Sequence, residues 1–372
     1  MTVTVRKLKK GEDVSGFMRF PWEVYKNYPM WVPPIIQQVK PFLSGQSKFF
    51  NHCEYDLFIA QKDKKTIATA AIFIERNLSK HCLQPIGLIG HFEALPDEHK
   101  GVGQLFKELE RNLTDRGVKS IWSPFNGNIM YGAGLGADAY DSEPLFMMPY
   151  TPPYYQAYFS RNGYAKHKKL LAYTIDLIDL KLKRKINYIK RRAKDAEVKI
   201  RPMDLKNFKE EVFRFSKIYS ETFSKHWGYA PQSKEETFEM FEPFRMALEK
   251  DFVLFAEYKG ETIGFVLCAP NFNSVIKELN GNLGAMNIFN FYRKKRDIKK
   301  ARLIAVGVRA KYRKQNIAPL LIANAFGSMI EKGYSTVEYS WVLKENIASQ
   351  RAVSKFYGKL YKSYDVYRKN MD

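Results

Sequence analysis

The sequence predicts an α/β protein made of two copies of one unit, each a mixed twisted β-sheet with helices on its faces. Three observations carry that reading. Residues 56–68 (DLFIAQKDKKTIA) and 251–264 (DFVLFAEYKGETIG) spell one hairpin twice: an acidic residue, an apolar strand, a polar turn and a second apolar strand. Residues 99–122 and 312–341 then repeat a short basic turn, an amphipathic helix and another strand. Each half also closes on a Tyr/Phe-rich helix, a glycine (Gly163 or Gly358) and a last strand ending at Tyr173 or Tyr367.

In chain order, the first half places a strand at Gly87 to Phe92, the turn Glu98-His99-Lys100-Gly101-Val102-Gly103, a helix stopped near Gly117 and the strand Ser120-Ile121-Trp122. The second places a strand at Leu303 to Val308, the turn Arg313 to Ala318, a helix stopped near Gly333 and a strand at Thr336 to Val342. A glycine just past an amphipathic run supplies the left-handed residue that ends a helix. Matched points lie 195 residues apart at the hairpins (Asp56 to Asp251) and 215 at the turns (Glu98 to Arg313), so the halves align with insertions. The pattern resets in the basic stretch Lys181 to Lys194. The expected division is an N-terminal unit 1–180, a basic linker 181–197 and a C-terminal unit 198–372.

With 372 residues, 45 % of them hydrophobic, the chain has ample material for two cores, and wholesale disorder is excluded. Its 61 Lys and Arg against 39 Asp and Glu give +22, which fits an anionic partner: a phosphorylated cofactor, nucleic acid or an acidic surface. Three scattered cysteines without C-x-x-C suggest neither a disulfide framework nor a thiolate zinc site, and no structural metal is expected. No window approaches 18 unbroken apolar residues, so no membrane insertion is expected and the location is read as cytoplasmic.

The first turn of a helix carries unpartnered N–H groups and the positive end of the macrodipole, so a strand feeding a tight turn and a helix is an anion site. In the second half Arg313 and Lys314 add charge, Asn316 tolerates the left-handed region, and Pro319 fits the first turn while removing one donor. In the first half Gly101 and Gly103 would let backbone approach a phosphate. An ordinary strand-to-helix turn explains the same residues without a ligand.

Strand, turn of the form Q/R-x-x-G-x-G/A, amphipathic helix, strand, then an Asn-containing loop and helix resembles the core of the GNAT superfamily of acyl-CoA-dependent N-acyltransferases. Arg313, Asn316 and Ala318 stand at the motif positions of the second half, with Asn346 in the loop after the strand Glu338 to Val342; the first half matches through Gly101 and Gly103. With Trp31-Val32-Pro33-Pro34 and Pro153-Tyr154-Tyr155 included, the chain resembles the bacterial group of tandem GNAT proteins of the YghO type. Each half is an incomplete copy, since Asn316 replaces a glycine and Glu98 stands where Gln or Arg is expected.

The resemblance implies acyl transfer, from acetyl-CoA or another acyl-CoA, to an amine of unspecified acceptor. It places the thioester and pantetheine on the backbone of the strand holding Val306 and Val308, and the pyrophosphate on Arg313, Lys314, Gln315, Asn316, Ile317 and Ala318, with Asn346 nearby and the Gly101–Gly103 turn as the alternative. Glu338, which alternation places on one face with Ser340, is the candidate base, and Glu257 a second. Tyr357, beside Gly358, is the candidate acid for the leaving thiolate. His91 and Glu93 alternate on the matched strand of the first half and read either as an acid–base pair or as packed polar residues. Two other classes stay open: a non-catalytic CoA- or nucleotide-binding protein, and, less favoured, a basic nucleic-acid-binding module. For the latter, Arg293-Lys294-Lys295-Arg296, with Lys299, Lys300, Arg302 and the preceding Phe289, Phe291 and Tyr292, supplies basic and aromatic side chains. Gly132 to Ala137 formally fits G-x-G-x-x-A, but without the strand and helix of a dinucleotide turn it reads as a glycine-rich loop. Oligomeric state is not legible.

Overall fold

The computed structural model describes residues 2–193, 197–285 and 288–371, and side chains outside 285–292. The first half runs β1 (Val3–Lys7), α1 (Ser15–Val24), α2 (Ile36–Leu43), β2 (Cys53–Lys62), β3 (Lys65–Glu75), α3 (Arg76–His81), β4 (Ile86–Ala94), α4 (His99–Thr114), β5 (Ser120–Ser123), β6 (Leu135–Gly136), α5 (Tyr155–Arg161) and β7 (Ala165–Asp176). After α6 (Leu180–Arg192), the second runs β8 (Lys199–Pro202), α7 (Phe208–Phe223), α8 (Lys234–Phe241), β9 (Val253–Tyr258), β10 (Glu261–Pro270), α9 (Asn273–Glu278), α10 (Ile288–Asp297), β11 (Lys300–Val308), α11 (Ile317–Glu331), β12 (Thr336–Leu343), α12 (Ile347–Lys355) and β13 (Lys359–Asn370). None of the described helices is long and apolar enough to cross a membrane.

The two hairpins form as read, β2–β3 and β9–β10, and the matched helices are α4 and α11. On α4 the buried residues Val102, Leu105, Phe106, Leu109 and Leu113 recur at three- and four-residue spacing, one stripe facing the sheet. Each fully buried Leu in that stripe contributes roughly 1.5–3 kcal/mol. Both helices stop identically. Gly117 and Gly333 take φ of +77°, and the N–H groups of Val118 and Tyr334 reach back to the carbonyls of Leu113 and Met329.

Among the described residues, thirteen strands join one sheet, in the order β1-β2-β3-β4-β5-β13-β7-β12-β11-β10-β9-β8, with the short β6 beside β13. The halves have exchanged their last strands. β13 of the second half pairs antiparallel with β5 of the first, β7 of the first pairs antiparallel with β12 of the second, and β7 and β13 pair with each other at the centre. Apolar cores cover both faces of each half. α4 and α5 pack on one face of the first half; α1 reaches that core with Phe20 and Val24 and the core on the other face with Phe17 and Met18, and α11 and α7 take opposite faces of the second.

The stretch read as a basic linker is mostly the helix α6, which buries Leu182 and Ile186 against the core that holds α11; its residues 194–196 lie outside those described. The glycine-rich stretch 132–137 is a loop with the two-residue strand β6 in it.

Candidate active site

The parallel pair β11–β12 holds register only from Lys300↔Thr336 to Leu303↔Tyr339. A bulge follows, because Leu267 of β10 faces Ala305 while Cys268 faces Leu303, leaving Ile304 as the extra residue. Beyond it the two strands splay. The wedge between them is a cavity of about 140 Å³ lined by Ile304, Ala305 and Val306 on one side, Tyr339, Ser340 and Trp341 on the other, and His226, Asn346 and Ser349 at its rim. Asn346 caps α12, its Oδ1 accepting from Ser349 N at 3.0 Å. α7 closes one wall. It lies flush on β11 because Gly307 has no side chain: a Cβ there would sit 2.5 Å from Thr222 Oγ1 and 2.6 Å from the Phe265 ring.

At the same end of β11 the chain passes through a 3₁₀ turn, Ala310–Gln315, into α11. Asn316 does adopt the left-handed conformation, φ 57° and ψ 23°, and hands the chain to a helix whose first N–H groups, those of Ile317 and Ala318, precede Pro319. Arg313 donates to the carbonyls of Val308 (3.2 Å) and Thr222 (3.4 Å), tying the turn to β11 and to the end of α7. Lys314, Gln315 and Asn316 are exposed, Ile317 is buried, and Val308 belongs to the core rather than to the wedge. His226 feels Arg313: burial first, then that cation, hold its imidazole below the ordinary value.

The equivalent wedge of the first half is filled by its own chain. β4 and β5 pair only from Ile86↔Ser120 to Leu88↔Trp122. There Phe125 N donates to Ile89 O at 2.8 Å and His91 N to Asn126 Oδ1 at 2.8 Å, so Pro124-Phe125-Asn126 occupies the gap. The expected turn 98–103 is helix from His99 onward. Gly101 and Gly103 lie inside α4, where Gly101 packs against Ile67, and Glu98 is engaged by Lys62 at 3.0 Å. Gly101 serves helix-on-sheet contact, whereas a side chain at Gly103 would meet only Asn162, at an ordinary 3.5 Å.

Glu338 is buried. It accepts from Ser340 Oγ and from Tyr361 OH, and Arg302 Nε lies 4.0 Å away. Arg302, read from sequence as part of an exposed cationic run, is buried too, and donates to Ser340 Oγ (2.9 Å) and Phe146 O (3.0 Å); burial lowers it from its usual value. Glu338 itself does not line the wedge, whereas its neighbours Ser340 and Arg302 do. Elsewhere in that run Lys294 pairs with Glu278 and Lys295 with Glu249, whereas the side chains of Phe289, Phe291 and Tyr292 lie outside those described. Tyr357 is 47 % exposed, sits at φ +59° past the end of α12, and lines neither cavity. Glu257 is held by Arg201 at 2.7 Å on β9, away from the wedge.

A second, larger cavity adjoins the wedge. Met130 and Met147 line both the wedge and this cavity of about 690 Å³ between the halves. Its walls come from α1, the Trp31-Val32-Pro33-Pro34 segment, α2, the 130–135 loop, Phe146 to Met148 and, from the second half, Met240, Phe244 and Ile276. That volume is within the usual range of small-molecule sites, and the lining is predominantly apolar. His91, Glu93 and Thr69 also face it.

Residues 213–358 match the acetyltransferase (GNAT) family. Over 99 % of its length the chain is 26 % identical to protein YghO of Escherichia coli (strain K12), covering 95 % of that protein. It is likewise 27 % identical to the bacterial ceramide synthase of Caulobacter vibrioides, covering 99 % of this chain and 97 % of the relative. Among solved structures, a tandem GNAT protein from the clavulanic acid biosynthesis pathway aligns over 99 % of this chain and 98 % of its own, with a TM-score of 0.59 at 11 % identity.

Proposed function

We propose that this chain, which has a tandem GNAT fold and is similar along its length to protein YghO, is an acyl-CoA-dependent N-acyltransferase forming a lipidic amide. The observation that carries this reading is that the β11–β12 wedge and the large apolar cavity adjoin, with Met130 and Met147 lining both. In this reading the second half holds the donor. The turn 313–318 and the first N–H groups of α11 receive the pyrophosphate, and the backbone of Ile304 to Val306 takes the pantetheine and the thioester carbonyl. Asn346 borders the same slot. The acyl chain then continues past the two methionines into the cavity, where burial of methylenes favours a long chain over acetyl. The relative named a ceramide synthase supports the same product class, since a ceramide is a lipid amide. Glu338, with Arg302 and Ser340, holds the wall of the wedge in this scheme, and Tyr357 is given no part.

The experiment is release of free CoA from palmitoyl-CoA with a long-chain primary amine, alongside calorimetric binding of palmitoyl-CoA to the wild type and to Arg313→Ala. The variant is expected to bind roughly tenfold more weakly, the size of one lost charge-assisted contact. Affinity unchanged by that substitution would move the donor away from the second half.

A further inference from the structure

Thr69, His91 and Glu93 sit on adjacent strands in the wall of the large cavity. Thr69 pairs with Glu93 and Ala71 with Gly90, so β4 carries one residue more than β3 between these points. The bulge falls at His91, whose φ of +44° is a left-handed conformation that a residue with a Cβ rarely keeps. Its N–H is anchored on Asn126 Oδ1. Bulges of this kind re-aim a side chain, and strain of this kind concentrates where a site needs it. Two of the three groups have nothing to bond: among the described residues Thr69 Oγ1 and His91 Nε2 are buried without a partner. A buried hydroxyl left unpaired is destabilising, so such groups call for an explanation, and a polar ligand head is one. Glu93 is held in place, its Oε2 accepting from Tyr155 OH at 2.7 Å, while that phenol accepts from Ala94 N at 2.8 Å.

We propose that Thr69, His91 and Glu93 form the acceptor subsite, which receives a primary amine and in which Glu93 takes the amine's proton, so that the first half prepares the nucleophile while the second holds the acyl-CoA. This rests on the acyltransferase reading above. The ammonium gives one proton to the Glu93 carboxylate, and the freed lone pair attacks the thioester carbonyl. The C–N bond forms as the C–S bond breaks. A second N–H proton goes to the departing thiolate, the third stays on the amide, and Glu93 returns its proton to solvent. Burial raises Glu93 to about 7, opposed by the Tyr155 and Tyr25 hydroxyls. Those two phenols and Tyr154, at the C-terminal end of α1 and the start of α5, are the titratable groups packed against it, and His91 on its own strand is pushed down to about 4 by burial and is neutral. A carboxyl so placed is part ionised at neutral pH, the condition a general base requires.

The test uses the full chain with hexadecylamine and palmitoyl-CoA as probes. Glu93→Gln keeps the shape and the Tyr155 contact, and is expected to lower turnover about 10²–10⁴-fold and to remove the fall in rate below pH 7, while leaving palmitoyl-CoA affinity unchanged. Thr69→Val is expected to weaken hexadecylamine binding about five- to tenfold with a thermal midpoint at or above that of the wild type, because it removes an unpaired buried hydroxyl. A purely structural role would move stability and function together. Turnover of Glu93→Gln within about threefold of wild type would overturn the proposal. So would a wild type that binds palmitoyl-CoA but not hexadecylamine, a result that spares the donor half of the reading. Failure to bind either probe would remove both.

Discussion

His52 ties the two halves together, and its titration should be visible in the stability of the whole chain. Its Nδ1 lies 2.5 Å from Glu75 and its Nε2 2.8 Å from Glu236. Both carboxylates are fully buried. Glu75 ends β3 and also accepts from Asn77 N and Leu78 N to cap α3; Glu236 stands on α8 and accepts from Gln232 Nε2 at 2.9 Å and Tyr131 OH at 3.3 Å. The hydrogen bonds to Glu236 and Glu75 outweigh burial and raise His52 from 6.5 to about 9. A histidine whose folded value is raised contributes stability that is complete below about pH 6.5 and is lost as pH rises through about 9. At about 1.4 kcal/mol per pH unit the gap sets a ceiling near 3 kcal/mol, and water at a partly exposed ring reduces it to roughly 2 kcal/mol.

The assay is urea unfolding at pH 6 and pH 9.5, on the wild type and on His52→Gln. The variant is expected to be about 3–5 kcal/mol less stable at pH 6, because two buried carboxylates lose their cation. The wild type should lose roughly 2 kcal/mol more than the variant between the two pH values. Glu93 titrates lower, between its unfolded value and about 7, and does so in both proteins. Parallel loss of stability in wild type and variant would refute the claim that His52 is a charged bridge.

Further outcomes follow from packing and topology. Gly307→Ala should push α7 off β11, costing about 1–3 kcal/mol in chemical denaturation and weakening acyl-CoA binding in calorimetry; a variant with unchanged stability would mean that α7 yields without strain. Residues 1–180 and 198–372 expressed apart should each lack cooperative unfolding, because β5 loses β13 and β12 loses β7, whereas co-expression should restore a soluble complex. A cooperative transition in either piece alone would show that the exchanged strands are dispensable.

What the sequence discloses here is what neighbouring residues decide. The duplicated hairpins, the glycine stops at Gly117 and Gly333 and the left-handed Asn316 are local, and each forms where it is read. The strand exchange is not local. β7 and β13 are both long strands flanked by antiparallel neighbours, and their alternation is the same whether each pairs within its own half or across. Gly101 mimics a phosphate loop in spacing, yet its missing side chain serves the contact with Ile67 one strand away. Tyr357 lies next to Gly358 in sequence, but its positive φ after α12 leaves it in solvent. The large cavity was beyond reach because its walls come from segments as far apart as Phe17 and Ile276. Its one legible trace was the alternation of His91 and Glu93, which spacing alone leaves undecided between chemistry and packing.

The central claim, that the wedge opens into a cavity for an aliphatic chain, is tested most directly by calorimetric titration with acetyl-, octanoyl- and palmitoyl-CoA. The comparison is with Met130→Trp, which puts a larger side chain where Met130 and Met147 stand between the wedge and the large cavity. Affinity should climb with chain length, by up to about fourfold for each methylene buried, until the cavity is filled. Met130→Trp should retain acetyl-CoA binding and lose that climb. Equal affinity of the wild type for acetyl-CoA and palmitoyl-CoA would contradict the account.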